Sequence, residues 1–228
     1  MSDCHTYYKS VRKDMLHYLP ERYGKVLEIG CGAGVFRKAL IPGCEYQGIE
    51  PSDMAVREAR EQGLSVLHGT FDDVAHELPN AHYDLVVCND VIEHMVNPAK
   101  FLTDIKRKMA PQGVIVGSYP NIRHLFALKH LLWDKDWRYR DLGVFDRTHL
   151  RFFTMKSFAR MVIEQGYTIE TMSGIYWGKF TGWHKYAFCL FYIPAVFLGF
   201  DTPYSQIGFR IRPSKVLTAE NGKLKNDL

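Results

Sequence analysis

The most distinctive pattern in the chain places one acid and three glycines at alternate positions, as Glu28, Gly30, Gly32 and Gly34. The surrounding stretch, VLEIGCGAGVF, predicts a buried strand that passes through a tight glycine turn into a helix. Such a turn lets a ligand approach the backbone closely at the end of a strand. A dinucleotide fingerprint would need a glycine in place of Val35, and the Glu28 carboxylate would repel a pyrophosphate. The pattern therefore favours a cationic ligand.

Two further acids follow the next two predicted strands. Glu50 ends YQGIE, where a carboxylate can accept hydrogen bonds from ribose hydroxyls. Asp72 follows LSVLHG, where a carboxylate can bind an adenine amine, and Phe71 beside it offers a stacking face. S-Adenosylmethionine combines ribose and adenine with an ammonium and a sulfonium, which a nearby acid favours. Singly, these features could be a turn, a solvated strand end and a helix cap, but together they predict one S-adenosylmethionine site.

Apolar runs that alternate with helical patterns must position these acids. Five runs predict strands: KVLEIG, YQGIE, LSVLHG, YDLVVCND and GVIVGSY. Helical periodicity covers residues 11–19, 35–40, 53–62, 97–109, 121–133 and 154–167. Parallel strands need crossover connections, so this alternation predicts a doubly wound, Rossmann-like α/β fold with helices on both faces. Residues 168–172 and 206–211 supply two last strands, which gives about seven, mostly parallel.

The alternation breaks after the fifth predicted strand. We expect one domain over residues 1–212, with an inserted lid at about 120–153 and an aromatic, apolar insert at about 173–205. Residues 213–228 read as a polar, flexible tail. The apolar run 186–200 is too short to span a bilayer comfortably, so core packing, an oligomer contact and peripheral membrane contact all stay open.

Composition narrows the partners and the compartment. The five cysteines contain no C-x-x-C pair, and the N-terminus has no apolar run, so we expect a cytoplasmic protein, with a peripheral position at the membrane left open. A net charge of +4 without dense basic tracts argues against nucleic acid. A monomer or a homodimer is expected.

The motifs VLEIGCGAGVF, GIEPS, GTFDD and YDLVVCNDVIEHMVNP resemble the successive motifs of class I S-adenosylmethionine-dependent methyltransferases, from about Tyr7 to Tyr167. The resemblance implies that the glycine turn cradles the methionine part, that Glu50 holds the ribose, and that Asp72 and its neighbour hold the adenine. The cofactor residues that it implies are Glu28, Gly30, Cys31, Gly32, Gly34, Glu50, Phe71, Asp72, Asn89, Asp90 and Val91.

Methyl transfer to a hydroxyl needs alignment and a proton acceptor, but it requires no metal, so we expect none. His149, in the basic and aromatic segment Asn121–Arg151, is the first candidate for the base or an acceptor-orienting group. His94 is the second, and for it catalysis and packing both stay open. The segment could also be a solvated loop with Asp–Arg pairs.

The stretches TYYKSVRKDMLHYLP, YPNIRH and DRTHLRFFT resemble a bacterial group associated with surface-polysaccharide genes, and also the ubiquinone-pathway O-methyltransferases. This narrower resemblance implies O-methylation of a small-molecule, glycan or prenyl-linked acceptor. A non-catalytic S-adenosylmethionine-binding protein and a protein methyltransferase are the alternatives. Besides the two histidines, the candidates for acceptor binding are Tyr7, Tyr8, His124, Arg147 and Arg151.

Overall fold

A seven-stranded sheet forms the centre of the computed structural model, which describes residues 11–177 and 199–214. Its strands are β1 (Lys25–Ile29), β2 (Glu45–Glu50), β3 (Val66–His68), β4 (Tyr83–Asn89), β5 (Met109–Pro120), β6 (Tyr167–Trp177) and β7 (Tyr204–Pro213). The spatial order is β3-β2-β1-β4-β5-β7-β6. Strands β1 to β5 pair in parallel, whereas β7 is antiparallel to both β5 and β6. The predicted seven-stranded, mostly parallel sheet is confirmed.

Helices cover both faces of this sheet, as predicted. The α-helices are α1 (Asp53–Glu61), α2 (Phe71–Val74), α3 (Pro98–Ile105), α4 (Leu125–Leu132) and α5 (Met155–Glu164). Short 3₁₀ helices span Lys13–Tyr18, Val35–Ala39, Ala75–Glu77 and Ile92–His94. Alternate residues of β4 face opposite core layers, Val86 toward the layer of Phe158 and Val87 toward the layer of Met15. This explains why the strand is apolar at successive positions.

Local capping sets where helices begin. The Asn97 side chain accepts a hydrogen bond from the Lys100 amide at 3.0 Å, with Pro98 at the first helical position of α3. Thr154 and Ser157 form a reciprocal cap at the start of α5.

Several predicted boundaries are wrong. The helix predicted over 97–109 ends at Ile105, because β5 already begins at Met109. The helices predicted over 11–19 and 35–40 are short 3₁₀ turns, and the one predicted over 121–133 begins only at Leu125. The apolar insert predicted at 173–205 is shortened at both ends, by β6 and by β7.

Two predicted segments lie wholly or partly outside the described residues: the apolar run 186–200 and the tail 213–228. Residues 178–198 and the tail from 215 onward fall outside the described residues. Among the residues described, no helix has the length and apolar character needed to cross a membrane.

Candidate active site

The glycine-rich turn, residues 30–34, joins β1 to the next helical turn through left-handed backbone. Gly30, Gly32 and Gly34 have φ values of 66°, 52° and 76°, a region that favours glycine. A β-carbon on Gly30 would lie 2.6 Å from Val91, and one on Gly34 would lie 2.1 Å from Leu64. At Gly32 no described atom lies within 4 Å of that position. Two of the glycines therefore allow close packing, and Gly32 faces open space where a ligand can approach.

Glu28 lies at the base of this turn, in β1. Its side chain is buried and accepts a hydrogen bond from the Tyr46 hydroxyl at 2.6 Å. Burial raises the pKa of Glu28 to about 8, the charge of Glu50 adds to the rise, and the Tyr46 hydrogen bond opposes it. Burial also raises the pKa of the Cys31 thiol to about 12, so this cysteine is an apolar packing group rather than a reactive one.

Glu50 connects the end of β2 to the glycine-rich turn. Its Oε2 accepts a hydrogen bond from the Gly32 amide at 2.9 Å, and its Oε1 accepts one from the Ser52 amide at 2.9 Å. These bonds fix the orientation of the carboxylate, while each oxygen keeps a lone pair that could accept a ribose hydroxyl.

The predicted adenine residues differ in exposure. Asp72, in the first turn of α2, is exposed, and its Oδ1 lies 2.8 Å from Lys100 Nζ. Phe71 is buried and packs edge to face on Phe101, with 5.1 Å between ring centroids. The neighbouring core thus covers much of the ring, and adenine stacking on Phe71 stays a prediction.

Three predicted residues follow the end of β4. The Asn89 amide group is buried, and neither its nitrogen nor its oxygen has a hydrogen-bond partner among the described residues. Asp90 has a left-handed φ of 54°, and its carboxylate accepts hydrogen bonds from Arg12, Ser118 and Gln206. Val91 packs against the open side of Gly30. Since buried amides normally find partners, Asn89 is a candidate contact for a bound ligand.

A second set of side chains, here called the histidine cluster, consists of Glu93, His94 and His149. The two imidazole rings meet edge to face at 4.8 Å, and His149 Nε2 lies 4.0 Å from Glu93 Oε1. His149 Nδ1 lies 3.3 Å from the Val144 carbonyl. If Nδ1 carries the proton and donates it to that carbonyl, Nε2 is the basic nitrogen and faces Glu93.

Burial sets the protonation of this cluster. It lowers the pKa of His149, and the neighbouring charge of His94 adds to that effect. It raises the pKa of Glu93 well above its usual range, and Asp90 adds to the rise. Both carboxylate oxygens of Glu93 are buried without a hydrogen-bond partner among the described residues. The cluster thus contains a neutral imidazole and a carboxyl group that is costly to ionise.

The chain holds the inserted segment against this cluster through its backbone. The Glu93 carbonyl accepts hydrogen bonds from the amides of Leu150 and Arg151, both at 2.9 Å. Sequence reasoning did not single out Glu93 itself, although its position next to His94 in DVIEH was the available signal.

The histidine cluster also has the composition of a metal site. Its three residues each offer one ligand atom, and these atoms lie within 4.8 Å of one another. One carboxylate and two imidazoles are ligands that a divalent transition metal accepts. The expectation that the protein needs no metal remains a prediction.

The remaining candidates for acceptor binding have different surroundings. Arg147 forms an exposed ion pair with Asp141 at 2.7 Å, as the alternative of a solvated loop predicts for this residue. Arg151 donates to the Val96 carbonyl. His124 precedes α4, and burial lowers its pKa to about 4. Tyr7 and Tyr8 lie outside the described residues.

Known proteins match both the sequence and the fold. A family model described as a methyltransferase domain matches residues 4–172. The chain belongs to this methyltransferase family. It is 28% identical to the ubiquinone biosynthesis O-methyltransferase of Aeromonas salmonicida, over 72% of this chain and 71% of that enzyme. It is 26% identical to the mitochondrial ubiquinone biosynthesis O-methyltransferase of Schizosaccharomyces pombe, over 66% of this chain and 57% of the relative. Against several other enzymes of that name, the chain spans about half of their length.

Solved structures share the fold at lower identity. A methyltransferase from Clostridium acetobutylicum has a TM-score of 0.62 at 14% identity, covering 93% of this chain and 98% of that one. One from Archaeoglobus fulgidus has a TM-score of 0.59 at 16% identity, covering 91% and 89%. Likeness at this identity shows the fold alone. With the family match, the chain is an S-adenosylmethionine-dependent methyltransferase.

Proposed function

We propose that this methyltransferase transfers the methyl group to a hydroxyl oxygen of a small-molecule acceptor, with His149 as the proton acceptor. The observation that carries the proposal is the buried pair of His149 and Glu93, with 4.0 Å between Nε2 and Oε1. The resemblance to enzymes named ubiquinone biosynthesis O-methyltransferases supports an oxygen acceptor, and a prenyl-linked or glycan-linked compound fits the same chemistry.

The cofactor supplies an electrophilic methyl group when bound, and its sulfonium becomes a neutral thioether. Among the described residues, no atom lies within 4 Å of the point where Gly32 would carry a β-carbon, and the Asn89 amide has no hydrogen-bond partner. With the acids Glu28 and Glu50, these features fit a cationic nucleoside ligand. On the acceptor side, His149 Nε2 takes the hydroxyl proton as the new carbon–oxygen bond forms. The Val144 carbonyl, 3.3 Å from Nδ1, keeps the ring oriented, and the Glu93 carboxyl group lies 4.0 Å from Nε2.

A second role for the same residues follows from their arrangement as possible metal ligands. A divalent cation held by Glu93, His94 and His149 would bind the acceptor oxygen and lower the pKa of its hydroxyl. In that case the imidazoles serve as ligands and no protein base is needed. Chelation separates the two, because transfer through a protein base persists in excess chelator and transfer through a metal does not.

The test is incubation of the protein with methyl-labelled S-adenosylmethionine and source-cell extracts separated into small-molecule and lipid, glycan, and protein fractions. Label in the first fraction, lost in His149→Asn and kept in His76→Asn, is the expected result, since His76 is an exposed histidine outside the cluster. Label in the protein fraction would point to a protein methyltransferase. Cofactor binding without label in any fraction would point to a non-catalytic protein.

A further inference from the structure

Four separate segments of the chain meet at Asp90. Its left-handed φ of 54° is unfavourable for a residue that carries a β-carbon. Its amide donates to the Ser118 carbonyl at 3.1 Å, and its Oδ1 accepts from Ser118 Oγ at 2.8 Å and from Gln206 Nε2 at 2.9 Å. Ser118 belongs to β5 and Gln206 to β7, so both neighbouring strands hold the turn after β4.

Arg12 completes this set, which we call the Asp90 network (Arg12, Asp90, Ser118 and Gln206). Its guanidinium pairs with Asp90 Oδ2 and also donates to Gln206 Oε1 at 3.0 Å and to Asp14 Oδ2 at 2.8 Å. The Arg12 side chain is only 10% exposed and that of Asp90 20%. A planar guanidinium can bridge several acceptors at once, which a lysine ammonium cannot do in the same geometry.

The turn held by this network adjoins the cofactor side. Val91 directly follows Asp90, and its Cγ2 lies 2.6 Å from the point where Gly30 would carry a β-carbon. The left-handed conformation of Asp90 therefore determines how closely Val91 packs on the glycine-rich turn. Asn89, whose amide has no hydrogen-bond partner in the described part of the chain, is the preceding residue of the same turn.

We propose that Arg12 is a positioning residue for S-adenosylmethionine: through its ion pair with Asp90, it holds the turn of residues 89–91 against Gly30. Arg12 lies 78 positions from Asp90 in sequence and directly precedes the 3₁₀ helix Lys13–Tyr18. That helix is anchored by the buried side chains of Met15 and Tyr18. The 3₁₀ helix Lys13–Tyr18 is thus coupled to cofactor binding, although it contributes none of the predicted cofactor residues.

The test measures the dissociation constant of S-adenosylhomocysteine by calorimetry, alongside the melting temperature of each variant. Arg12→Gln is expected to weaken binding about tenfold, with Arg12→Lys intermediate. The control Arg57→Gln, which removes an exposed ion pair with Asp53, should leave binding unchanged. A melting temperature that falls while the dissociation constant of Arg12→Gln stays at the wild-type value would overturn the proposal.

A second background tests the route through Asp90. Asp90→Gly adopts the left-handed turn without help, so adding Arg12→Gln to it should cause no further loss of affinity. An equal loss in both backgrounds would mean that Arg12 acts elsewhere, and it would overturn the proposal. Should Arg12→Gln alone fail to fold, Arg12→Lys gives the same comparison, because it keeps the charge but cannot bridge Asp90 and Gln206 together.

Discussion

The proposed cofactor half of the site lies at the carboxyl ends of β1 to β4, the proposed acceptor half is the histidine cluster, and the two halves are built differently. In the cofactor half, Glu50 bonds the Gly32 amide 18 positions away, and the decisive geometry is a short glycine turn. In the acceptor half, Glu93 lies 4.0 Å from His149, which belongs to the segment after β5, 56 positions later in the chain. One half depends on local backbone conformation and the other on side chains that tertiary packing brings together.

This contrast has a chemical counterpart. The cofactor half offers fixed acids and backbone groups, which suit binding of one invariant ligand. The acceptor half offers a buried imidazole whose pKa is lowered by burial and a buried carboxyl group whose pKa is raised by burial. Val91, which packs on Gly30, lies two residues before Glu93, so the two halves adjoin there.

If the halves are separable, removing the acceptor-side base should spare the cofactor. We expect His149→Asn to lower turnover by roughly 100-fold to 10,000-fold, the usual contribution of a positioned general base. The dissociation constant of S-adenosylhomocysteine should stay within about twofold of wild type. Turnover is measured with the labelled fraction that accepts methyl groups, and His76→Asn serves as the matched control. Persistent turnover would remove His149 from the chemistry.

A substitution at Gly30, where Val91 packs on the glycine-rich turn, should lower the stability of the folded protein. Gly30→Ala places a β-carbon in left-handed backbone and against Val91, so we expect a loss of roughly 2–4 kcal/mol in the free energy of unfolding. Gly43→Ala is the control, since its φ is 78° but no described atom lies within 4 Å of the added carbon. Urea unfolding should show that Gly43→Ala lowers the free energy of unfolding by only about 1–2 kcal/mol. Equal losses in the two variants would mean that the Val91 contact is unimportant.

The pH dependence of cofactor binding should come from Glu28, in the cofactor half. Without ligand, Glu28 is protonated below its pKa of about 8, because burial disfavours its charge. A cationic ligand favours the carboxylate, so binding releases this proton and strengthens as pH rises, at most about tenfold per pH unit, levelling off above about 8.

The affinities of wild type and Glu28→Gln are measured by calorimetry from pH 6 upward. Titration of the ligand itself affects both proteins equally and cancels in the ratio of the two affinities. A ratio independent of pH would exclude Glu28 as the titrating group. The pH dependence of folding stability has the opposite sign. Because the pKa of Glu28 is raised in the folded state, its contribution to stability is fully present below the ordinary glutamate pKa. That contribution is lost as pH rises through about 8.

The smallest effect is expected at the exposed end of the cofactor half. Lys100 pairs with both Asp72 and Asp104 at 2.8 Å, but all three side chains are solvent-accessible. Lys100→Gln should therefore weaken cofactor binding by no more than about fivefold. Fluorescence or calorimetric titration at low and high salt would check this, and a much larger loss would show that the pair orients Asp72.

The same contrast explains what could be predicted from the sequence. The glycine-rich turn, Glu50 and the order of strands could be inferred because their signals are local: spacing, periodicity and turn residues. Glu93 was missed because nothing in DVIEH tells that its carboxylate is buried opposite a histidine 56 positions later. The burial of Phe71 could not be predicted from the sequence, because it depends on Phe101 in another helix.

Some predicted helix boundaries were wrong because they too depend on tertiary pairing. The periodicity of residues 97–109 continues past Ile105 into apolar residues that belong to β5, and only pairing with β4 decides where the strand begins. Arg12 reads as one basic residue among several near the N-terminus, yet packing makes it a nearly buried partner of Asp90. The ion pair of Arg12 with Asp90 depends on tertiary packing and has no local signal in the sequence.

The central claim is that one half of the site binds the cofactor and the other activates the acceptor. It is tested most directly by titrating S-adenosylhomocysteine into the wild type, Glu50→Gln and His149→Asn by calorimetry. We predict a loss of roughly 10-fold to 100-fold for Glu50→Gln, which weakens a charged hydrogen-bond acceptor at the turn. We predict wild-type affinity for His149→Asn. Wild-type affinity in Glu50→Gln, or lost affinity in His149→Asn, would contradict the division.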